Sequence, residues 1–144
     1  MSLLTTRVAG PPICSAQFVK PEPEEIVGQS FKDLVVWQRA VQMSLAVYRL
    51  TSSFPTSERF GLTNQLRRAS VSVASNIAEG YGRSTKGEYF QFLGHARGSN
   101  CEVEMQLVIS QALKFGLEPE RQLAESLCGE VSRMLVAMMK QIRK

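Results

Sequence analysis

The chain has 144 residues, of which 44% are hydrophobic and 21% are charged, and this is the size and composition of one ordinary globular domain. Its net charge of +4 is a mild basic bias that is compatible with an anionic partner but not diagnostic of one. A membrane-spanning protein is not expected, because no stretch holds the roughly 20 apolar residues of a spanning helix. A secretory signal is not expected either, because residues 1–20 lack its apolar core.

Residues 1–29 are predicted to be a flexible extension, because prolines interrupt any helical period there. The folded domain is predicted to cover residues 30–144. It begins at Ser30, which has capping-box spacing with Asp33. Apolar residues then recur at steps of three and four, the period of one helix face. This stripe of the first helix consists of Leu34, Trp37, Val41, Leu45 and Tyr48.

A second helix is predicted from about Ser57 to Tyr81. Its middle, residues 69–78 (ASVSVASNIA), carries no charge on any side. A strand is the competing local interpretation, but the spacing of Leu62, Leu66 and Val73 continues the helical period into this segment. A helix without charges all round is normally buried all round, so the segment is predicted to be covered on every side.

Thr85 and Glu88 have capping-box spacing and start a third helix, predicted over residues 86–115 with Gly116 as its stop. This helix carries two apolar or small stripes. The first stripe is Tyr89, Phe92, Ala96, Ser99, Val103, Leu107 and Ser110. The second stripe is Phe90, Gly94, Gly98, Cys101, Met105, Val108, Ala112 and Phe115.

A fourth helix is predicted to start near Pro119, a favoured position for proline in a first turn. Its apolar stripe is Leu123, Leu127, Val131, Met134, Met138 and Ile142. No segment carries a strand signal. Four helices with short connections predict an all-α fold, an antiparallel four-helix bundle of up-down-up-down topology.

The double stripe of the third helix predicts self-assembly. One stripe can face the core of the bundle, but the other would leave an apolar patch of a size that soluble monomers rarely expose. The simplest cover is another copy of the chain, so the second stripe is the predicted oligomer interface. The alternative is one wide buried sector inside a monomer.

Catalysis is not predicted, and no metal or other cofactor is expected. The di-metal sites of helical bundles need Glu-x-x-His pairs, whereas the one histidine, His95, follows Phe92 at that spacing. Cys14, Cys101 and Cys128 include no C-x-x-C pair, which argues against zinc or a disulfide framework and favours the reducing cytoplasm. Both Cys101 and Cys128 fall on apolar faces, where thiols are usually inert.

Four polar residues lie in or beside the most apolar parts of the second and third helices: Asn76, Glu79, Ser99 and Glu102. Buried polar groups must be hydrogen-bonded, so they are predicted to form an interhelical network that sets the helix register. The alternative is a catalytic carboxylate pair, with Glu79, Glu102 and His95 as the active residues of an enzyme.

A basic surface is the candidate site for nucleic acid. Residues 30–83 hold seven Lys or Arg and three Asp or Glu, a net charge of +4. The candidate residues are Arg67, Arg68, Arg83, Lys86 and Arg97. For one chain, a solvated basic face is the simpler interpretation. An oligomer would repeat each small patch and attract polyanions strongly, through contacts to the nucleic-acid backbone.

Three segments resemble the four-helix bundle family of proteins encoded in 23S rRNA intervening sequences. They are SFKDLVVWQRA (30–40), FPTSERFGLTNQLRRASVSVASNIAEGYGR (54–83) and HARGSNCEVEMQL (95–107), and the resemblance extends over about residues 30–144. The family motif maps onto Gln65, Arg67, Arg68, Asn76, Glu79, Gly80, Gly98, Ser99 and Glu102. Asn100 stands where the family commonly has an apolar residue.

The resemblance implies a homopentameric ring and brings no catalytic role. A related branch, the accessory variability protein of diversity-generating retroelements, is a basic pentamer that binds reverse transcriptase and nucleic acid. The expected function is therefore a non-enzymatic homo-oligomer that binds RNA, DNA or a ribonucleoprotein. The alternative is a protein-interaction scaffold, for example an accessory subunit of a reverse transcriptase.

Overall fold

The computed structural model describes residues 30–143, and every regular element in that range is helical. The predicted extension at residues 1–29 lies outside the described residues. Four α-helices form the fold: α1 (Val35–Thr51), α2 (Leu62–Tyr81), α3 (Lys86–Ala112) and α4 (Glu118–Arg143). Short 3-10 helices at Phe31–Asp33 and Thr56–Glu58 precede α1 and α2. The predicted all-α, four-helix fold is confirmed.

Each helix packs against the one that follows it in the chain, and α4 returns to pack against α1. The order around the bundle is therefore α1, α2, α3, α4, as short connections between antiparallel neighbours require. Among the helices of residues 30–143, none combines the length and the apolarity that crossing a membrane would demand.

One continuous core lies between the four helices. The first stripe of α3 faces this core, where Ala96, Val103 and Leu107 are buried. The core is completed by large side chains from every other helix: Met43, Leu50, Leu66, Ile77, Val131 and Leu135. Burial of each such side chain contributes about 1.5–3 kcal/mol, so this cluster is the main source of stability.

The buried face of α1 differs from the predicted one. The Ser30 and Asp33 capping box is present, but it caps the 3-10 turn, and α1 itself begins two residues later. Leu45 and Tyr48 of the predicted stripe are exposed. The core side of α1 is instead formed by Val36, Ala40, Met43, Val47 and Leu50. Both faces of α1 are apolar, so periodicity alone did not distinguish the inner face from the outer one.

α3 ends at Ala112, three residues before the predicted end. Lys114 adopts a left-handed conformation with φ of 62°, which stops the helix. The backbone N–H of Lys114 donates to the Gln111 carbonyl, and that of Phe115 donates to the Ser110 carbonyl. This is a Schellman motif, in which the turn satisfies the last carbonyl groups of the helix.

α2 and α3 approach each other closely at Gly80. A Cβ atom at this position would lie 2.8 Å from the Cβ of Phe92 and 3.1 Å from Cδ1 of Tyr89. Real Cβ atoms do not approach a neighbour to 2.8 Å, so the spacing of the two helices depends on the absence of a side chain there.

Gly80→Ala is expected to lower the free energy of unfolding by about 1–3 kcal/mol, because the added methyl group overpacks the contact with Phe92. Gly87→Ala is the matched control, since a Cβ at Gly87 meets nothing within 4 Å. That change should be neutral or stabilise by up to about 1 kcal/mol. Urea denaturation measures both, and equal midpoints would contradict the close approach.

Candidate interaction surfaces

The two carboxylates of the candidate catalytic pair lie far apart. Glu79 precedes Gly80, which contacts Phe92, so Glu79 lies about ten residues, or roughly 15 Å, from Glu102 along α3. Glu79 instead pairs with Arg83 at 3.4 Å. Glu102 is exposed and has no hydrogen bond or ion pair within the described residues. The two side chains therefore do not form a pair.

Histidine and cysteine side chains are also separated. His95 is exposed, with its ring edge-on to Phe92 at 5.8 Å between centroids. Cys101 is exposed, whereas Cys128 is buried against α3. Burial raises the pKa of the Cys128 thiol to about 12, assisted by the nearby charge of Glu104. In residues 30–143, no three His, Cys, Asp or Glu side chains are grouped so that they could hold a metal ion.

Asn100 is a polar residue on the buried side of α3, and its hydrogen bonds to α4 explain its presence there. Its side chain is buried, and its Nδ2 donates to the Cys128 carbonyl oxygen at 2.9 Å. The sulfur of Cys128 lies 3.5 Å from both oxygen atoms of Asn100. The pair joins α3 to α4 in the core, which an apolar residue at position 100 would not do.

A hydrogen-bond network crosses the seam between α2 and α3. The hydroxyl groups of Ser72 and Ser99 are 3.0 Å apart, and Nδ2 of Asn76 donates to the Ser72 carbonyl and hydroxyl oxygens at 2.9 and 3.1 Å. The structure thus brings Asn76 and Ser99 together through Ser72, which the sequence analysis did not single out. Glu79 and Glu102 lie outside this network. The sequence pattern does not distinguish Ser72, because the uncharged segment of α2 contains several serines.

A polar cleft of about 450 Å³ opens beside this network, between α2 and α3. Gln106 lies in its wall, 6% exposed, and its Nε2 donates to Oε1 of Gln65 at 3.4 Å. The Oε1 atom of Gln106 is buried with no hydrogen-bond partner. We call this feature the α2–α3 cleft, and its remaining lining consists of Asn64, Arg68, Ala69, Ser72 and Glu102.

Arg67 is part of the joint between α1 and α2. Its Nε donates to the hydroxyl of Thr51 at 2.8 Å, and its Nη2 donates to the carbonyl of Tyr48 at 3.4 Å. The guanidinium also lies over the Tyr48 ring, 4.5 Å from the centroid. A cation at the C-terminal end of α1 is favoured by the helix dipole, so this arginine stabilises the fold locally.

Arg83 is similarly engaged, since it pairs with Glu79 and lies 4.6 Å from the centroid of the Phe92 ring. The position of this arginine at the turn between α2 and α3 orients it back along α2. Both contacts lie at the surface, where an ion pair contributes at most about 1 kcal/mol. The Arg83 side chain can therefore leave these contacts for another partner at a small cost in free energy.

Arg68, Lys86 and Arg97 are exposed and have no hydrogen bond or ion pair within the described residues. They do not form one patch. Arg68 lines the α2–α3 cleft, while Lys86 begins α3, about 25 Å away along the helix axis. Arg97 is two residues, or about 200°, from Ser99, which faces α2. The free basic groups are spread over different sides of the bundle.

The second stripe of α3 is largely uncovered in a single chain. Met105 is 50% exposed and Val108 is 60% exposed, while Cys101 and Ala112 are also exposed. Only its ends are occupied: Phe90 lies under Arg143, and Phe115 contacts Phe54 at 5.6 Å between ring centroids. We call the open part, which comprises the stripe residues between positions 94 and 112, the outer stripe.

A second uncovered apolar surface lies between α1 and α2. Here the uncharged segment of α2 is buried on its core side, but Val71 and Ser75 are exposed. The prediction that it is covered on every side therefore fails for residues 30–143, because no third helix in this range packs over this side. We call the resulting depression, of about 370 Å³, the α1–α2 groove, and its lining consists of Phe31, Trp37, Val41, Ser44, Leu45, Val71, Ala74, Ser75 and Ala78.

Comparison with known proteins identifies the family. The model of the family described as 23S rRNA-intervening sequence protein matches residues 32–137, which is well over half of the chain and extends from the 3-10 turn before α1 into α4. The chain therefore belongs to this family, and its four-helix architecture fits that assignment. No curated protein matches the sequence.

The raised pKa of Cys128 predicts a pH-dependent stability. Its ordinary value is 9.0, so the unfolded chain releases this proton above pH 9 while the folded protein retains it up to about pH 12. The contribution of this thiol to the free energy of unfolding should therefore decrease progressively as the pH rises from 9 toward 12. In urea denaturation from pH 8 to 10.5, Cys128→Ala should lose less stability than the wild type. Parallel pH profiles would contradict the burial of the thiol.

Proposed function

We propose that this member of the 23S rRNA-intervening sequence protein family is a non-enzymatic protein of the cytoplasm. Copies of it would assemble into a closed ring that binds nucleic acid or a ribonucleoprotein through basic groups. The observation that carries this proposal is the presence of two uncovered apolar surfaces, the outer stripe and the α1–α2 groove, on one small bundle. The reducing cytoplasm fits a chain whose Cys101 and Cys128 are free thiols.

The chemistry of both surfaces favours contact with a second copy. Neither the outer stripe nor the α1–α2 groove includes a charged residue, so joining them leaves no charge buried without a partner. Gly98 has open space where a Cβ would be, and Gly94 has only the end of one flexible side chain, so a partner helix can approach α3 closely. Burial of apolar area of this kind is the main driving force of association.

The positions of the two surfaces favour a ring over a two-fold dimer. The α1–α2 groove lies on the side of the bundle away from α4 and α3, whereas the outer stripe lies on α3. A contact between two different surfaces is heterologous and generates a ring when the rotation between copies closes. Five copies is the number implied by the family resemblance, and we propose a pentamer on that basis.

The absence of catalysis is proposed on the arrangement of reactive groups within residues 30–143. Glu79 and Glu102 are separated along the seam, and the Cys128 thiol is held protonated in the core. His95 has an aromatic neighbour but no hydrogen-bonded carboxylate to orient it as a general base.

Three of the candidate basic residues support nucleic-acid binding of the assembled protein. Arg68, Lys86 and Arg97 are exposed without an intramolecular partner in the described part of the chain, so phosphate groups would not have to displace one. One bundle offers only scattered positive charges. A ring repeats each of them around its axis, and several neutralised phosphates together give a strong, salt-dependent affinity.

The alternative, a protein-interaction scaffold, is favoured by one end of the bundle. Phe60, in the connection between α1 and α2, is 86% exposed, which is unusual for an aromatic residue. Leu113 and Leu117, which follow α3, are exposed at the same end. A protein such as a reverse transcriptase could be contacted there without involving the basic groups.

Glutamate substitutions in the outer stripe should dissociate the assembly. Met105→Glu combined with Val108→Glu places two charges on a surface that is exposed in one chain, so the fold is kept but association is opposed. Sedimentation velocity at micromolar concentration should give a multimer for the wild type and a 16.0 kDa monomer for the variant. A wild type that sediments as a monomer would refute the assembly.

Two controls accompany this experiment. Ser126→Glu adds a charge to an exposed position of α4 outside both apolar surfaces and should leave the multimer intact. In a Cys14→Ser background, a thiol reagent should label Cys101 slowly in the multimer and rapidly in the dissociated variant. Cys128 should stay unlabelled in both, because it is buried within one chain.

Removal of the free arginines should weaken nucleic-acid binding. For Arg68→Gln with Arg97→Gln, we expect lower affinity for single-stranded RNA and a smaller slope of log affinity against log salt, by about one for each phosphate that the protein no longer neutralises. Arg49→Gln with Arg133→Gln removes the same charge from exposed positions of α1 and α4 as the control. Wild-type protein without salt-dependent affinity would remove the nucleic-acid function and leave the scaffold.

A further inference from the structure

The α2–α3 cleft contains a buried acceptor that no group of the described chain satisfies. Gln106 is 6% exposed, and its Nε2 is directed to Gln65, which leaves its Oε1 buried without a donor. Most buried polar atoms in proteins have a partner, so each exception needs an explanation. Gln106 lines an open cavity, so a rotation of its side-chain amide would turn this oxygen toward a bound ligand that supplies the missing donor.

Two further groups of this cleft are free to bind a ligand. Glu102 lies one turn before Gln106 on α3, so the two side chains share one face of the helix. Arg68 reaches the same cavity from α2. Neither Glu102 nor Arg68 has a hydrogen bond or ion pair with residues 30–143. The cleft therefore joins a wall of acceptors on α3 to a cation on α2.

This arrangement selects the chemistry of the ligand. An ionised glutamate only accepts hydrogen bonds, and the amide nitrogen of Gln106 is already engaged, so the α3 wall requires donors from the ligand. Arg68 requires an anionic group, for which phosphate is well suited. A nucleotide carries hydrogen-bond donors on its base and an anionic phosphate on one small molecule. The volume of about 450 Å³ falls within the range of known ligand pockets.

The acceptor wall also distinguishes among the bases. Guanine presents the N1–H and the N2 amino group side by side on its Watson–Crick edge. Adenine and cytosine present a single amino group there, and uracil a single N–H. A carboxylate and an amide oxygen together therefore match guanine best.

We propose that the α2–α3 cleft binds the guanine base of a nucleotide, with its Watson–Crick edge toward Glu102 and Gln106 and its phosphate toward Arg68. This inference rests on the proposed nucleic-acid function and adds a base preference to it. The lining includes no aromatic side chain, so the base is held by its edge and not by stacking. The cleft is therefore expected to bind nucleotides weakly but to discriminate clearly among the bases.

The direct test is a titration of the full-length protein with each of the four ribonucleoside monophosphates, measured by isothermal calorimetry. GMP is expected to bind at least about tenfold more tightly than AMP, CMP or UMP, as a good pair of base contacts provides. Glu102→Gln should remove this preference, because the amide replaces one acceptor with a donor. Glu104→Gln is the matched control, since Glu104 lies on the same helix but lines a depression toward α4.

Two other variants separate the roles of the remaining groups. Arg68→Gln should weaken all four monophosphates by a similar factor, because it removes the phosphate contact. Gln106→Met should abolish the guanine preference, yet leave the urea midpoint unchanged or higher, because it removes a buried acceptor without emptying the site. Loss of preference together with a lower midpoint would point to a structural role and count against the proposal.

A second arm uses single-stranded RNA and identifies the source of the base. Heptamers UUUGUUU and UUUAUUU differ only in the central base. A preference for the first that Glu102→Gln removes, without binding of free GMP, would support recognition within a strand. Salt-dependent RNA binding with no base preference in either arm would overturn this inference and leave the proposed function standing. Absence of binding to both the RNA heptamers and the monophosphates would remove both.

Discussion

The seam between α2 and α3 sets the arrangement on which the other features depend. At one end, Gly80 allows the backbone of α2 to approach Phe92 so closely that a Cβ would not fit. Further along, Ser72 meets Ser99, and seven residues beyond that on each helix Gln65 meets Gln106. The two contacts are separated by the same number of residues on each helix, in opposite chain directions, so the helices stay in one antiparallel register. A hydrogen bond between small side chains satisfies polar groups at a distance that larger residues would prevent.

This register decides which side of each helix is left uncovered. With one stripe of α3 turned to the core, residues on the other side of the helix, including Met105 and Val108, must face outward. α1 and α2 have the same property, because Leu45 and Val71 remain outside a core that their neighbours already fill. Within residues 30–143, no fifth helix covers these surfaces. The proposed assembly would therefore be a consequence of how the core is packed.

The sequence was sufficient to predict the number and type of the helices, because caps and a 3.6-residue period are local features. It was insufficient for the inner face of α1, where Val36, Met43 and Val47 compete with an equally apolar stripe on the other side. The end of α3 was missed because Lys114, not a glycine, adopts the left-handed conformation. Local patterns do not contain the tertiary contacts that decide such cases.

The candidate site was less predictable, because its residues meet only across helices. Arg67 and Arg68 are adjacent in the sequence and have the same charge, yet one is bound to the end of α1 and the other is free in a cleft. Their difference arises from the 100° that separates neighbours on a helix. Gln106 could not be identified from the sequence, because a glutamine is unusual only when it is buried, and its burial is a tertiary property.

Polar and apolar surfaces are segregated around the bundle in a way that lets the proposed functions coexist. In the proposed ring, the outer stripe and the α1–α2 groove become buried between copies, and these lie on α3 and across α1 and α2. The α2–α3 cleft opens between them, and its lining includes charged groups that would oppose burial in an apolar contact. In such a ring, each copy would keep its cleft accessible while its apolar surfaces are covered. A nucleic-acid strand that follows the ring would meet the same cleft at a regular interval, so several modest contacts on one strand would combine into a much higher overall affinity.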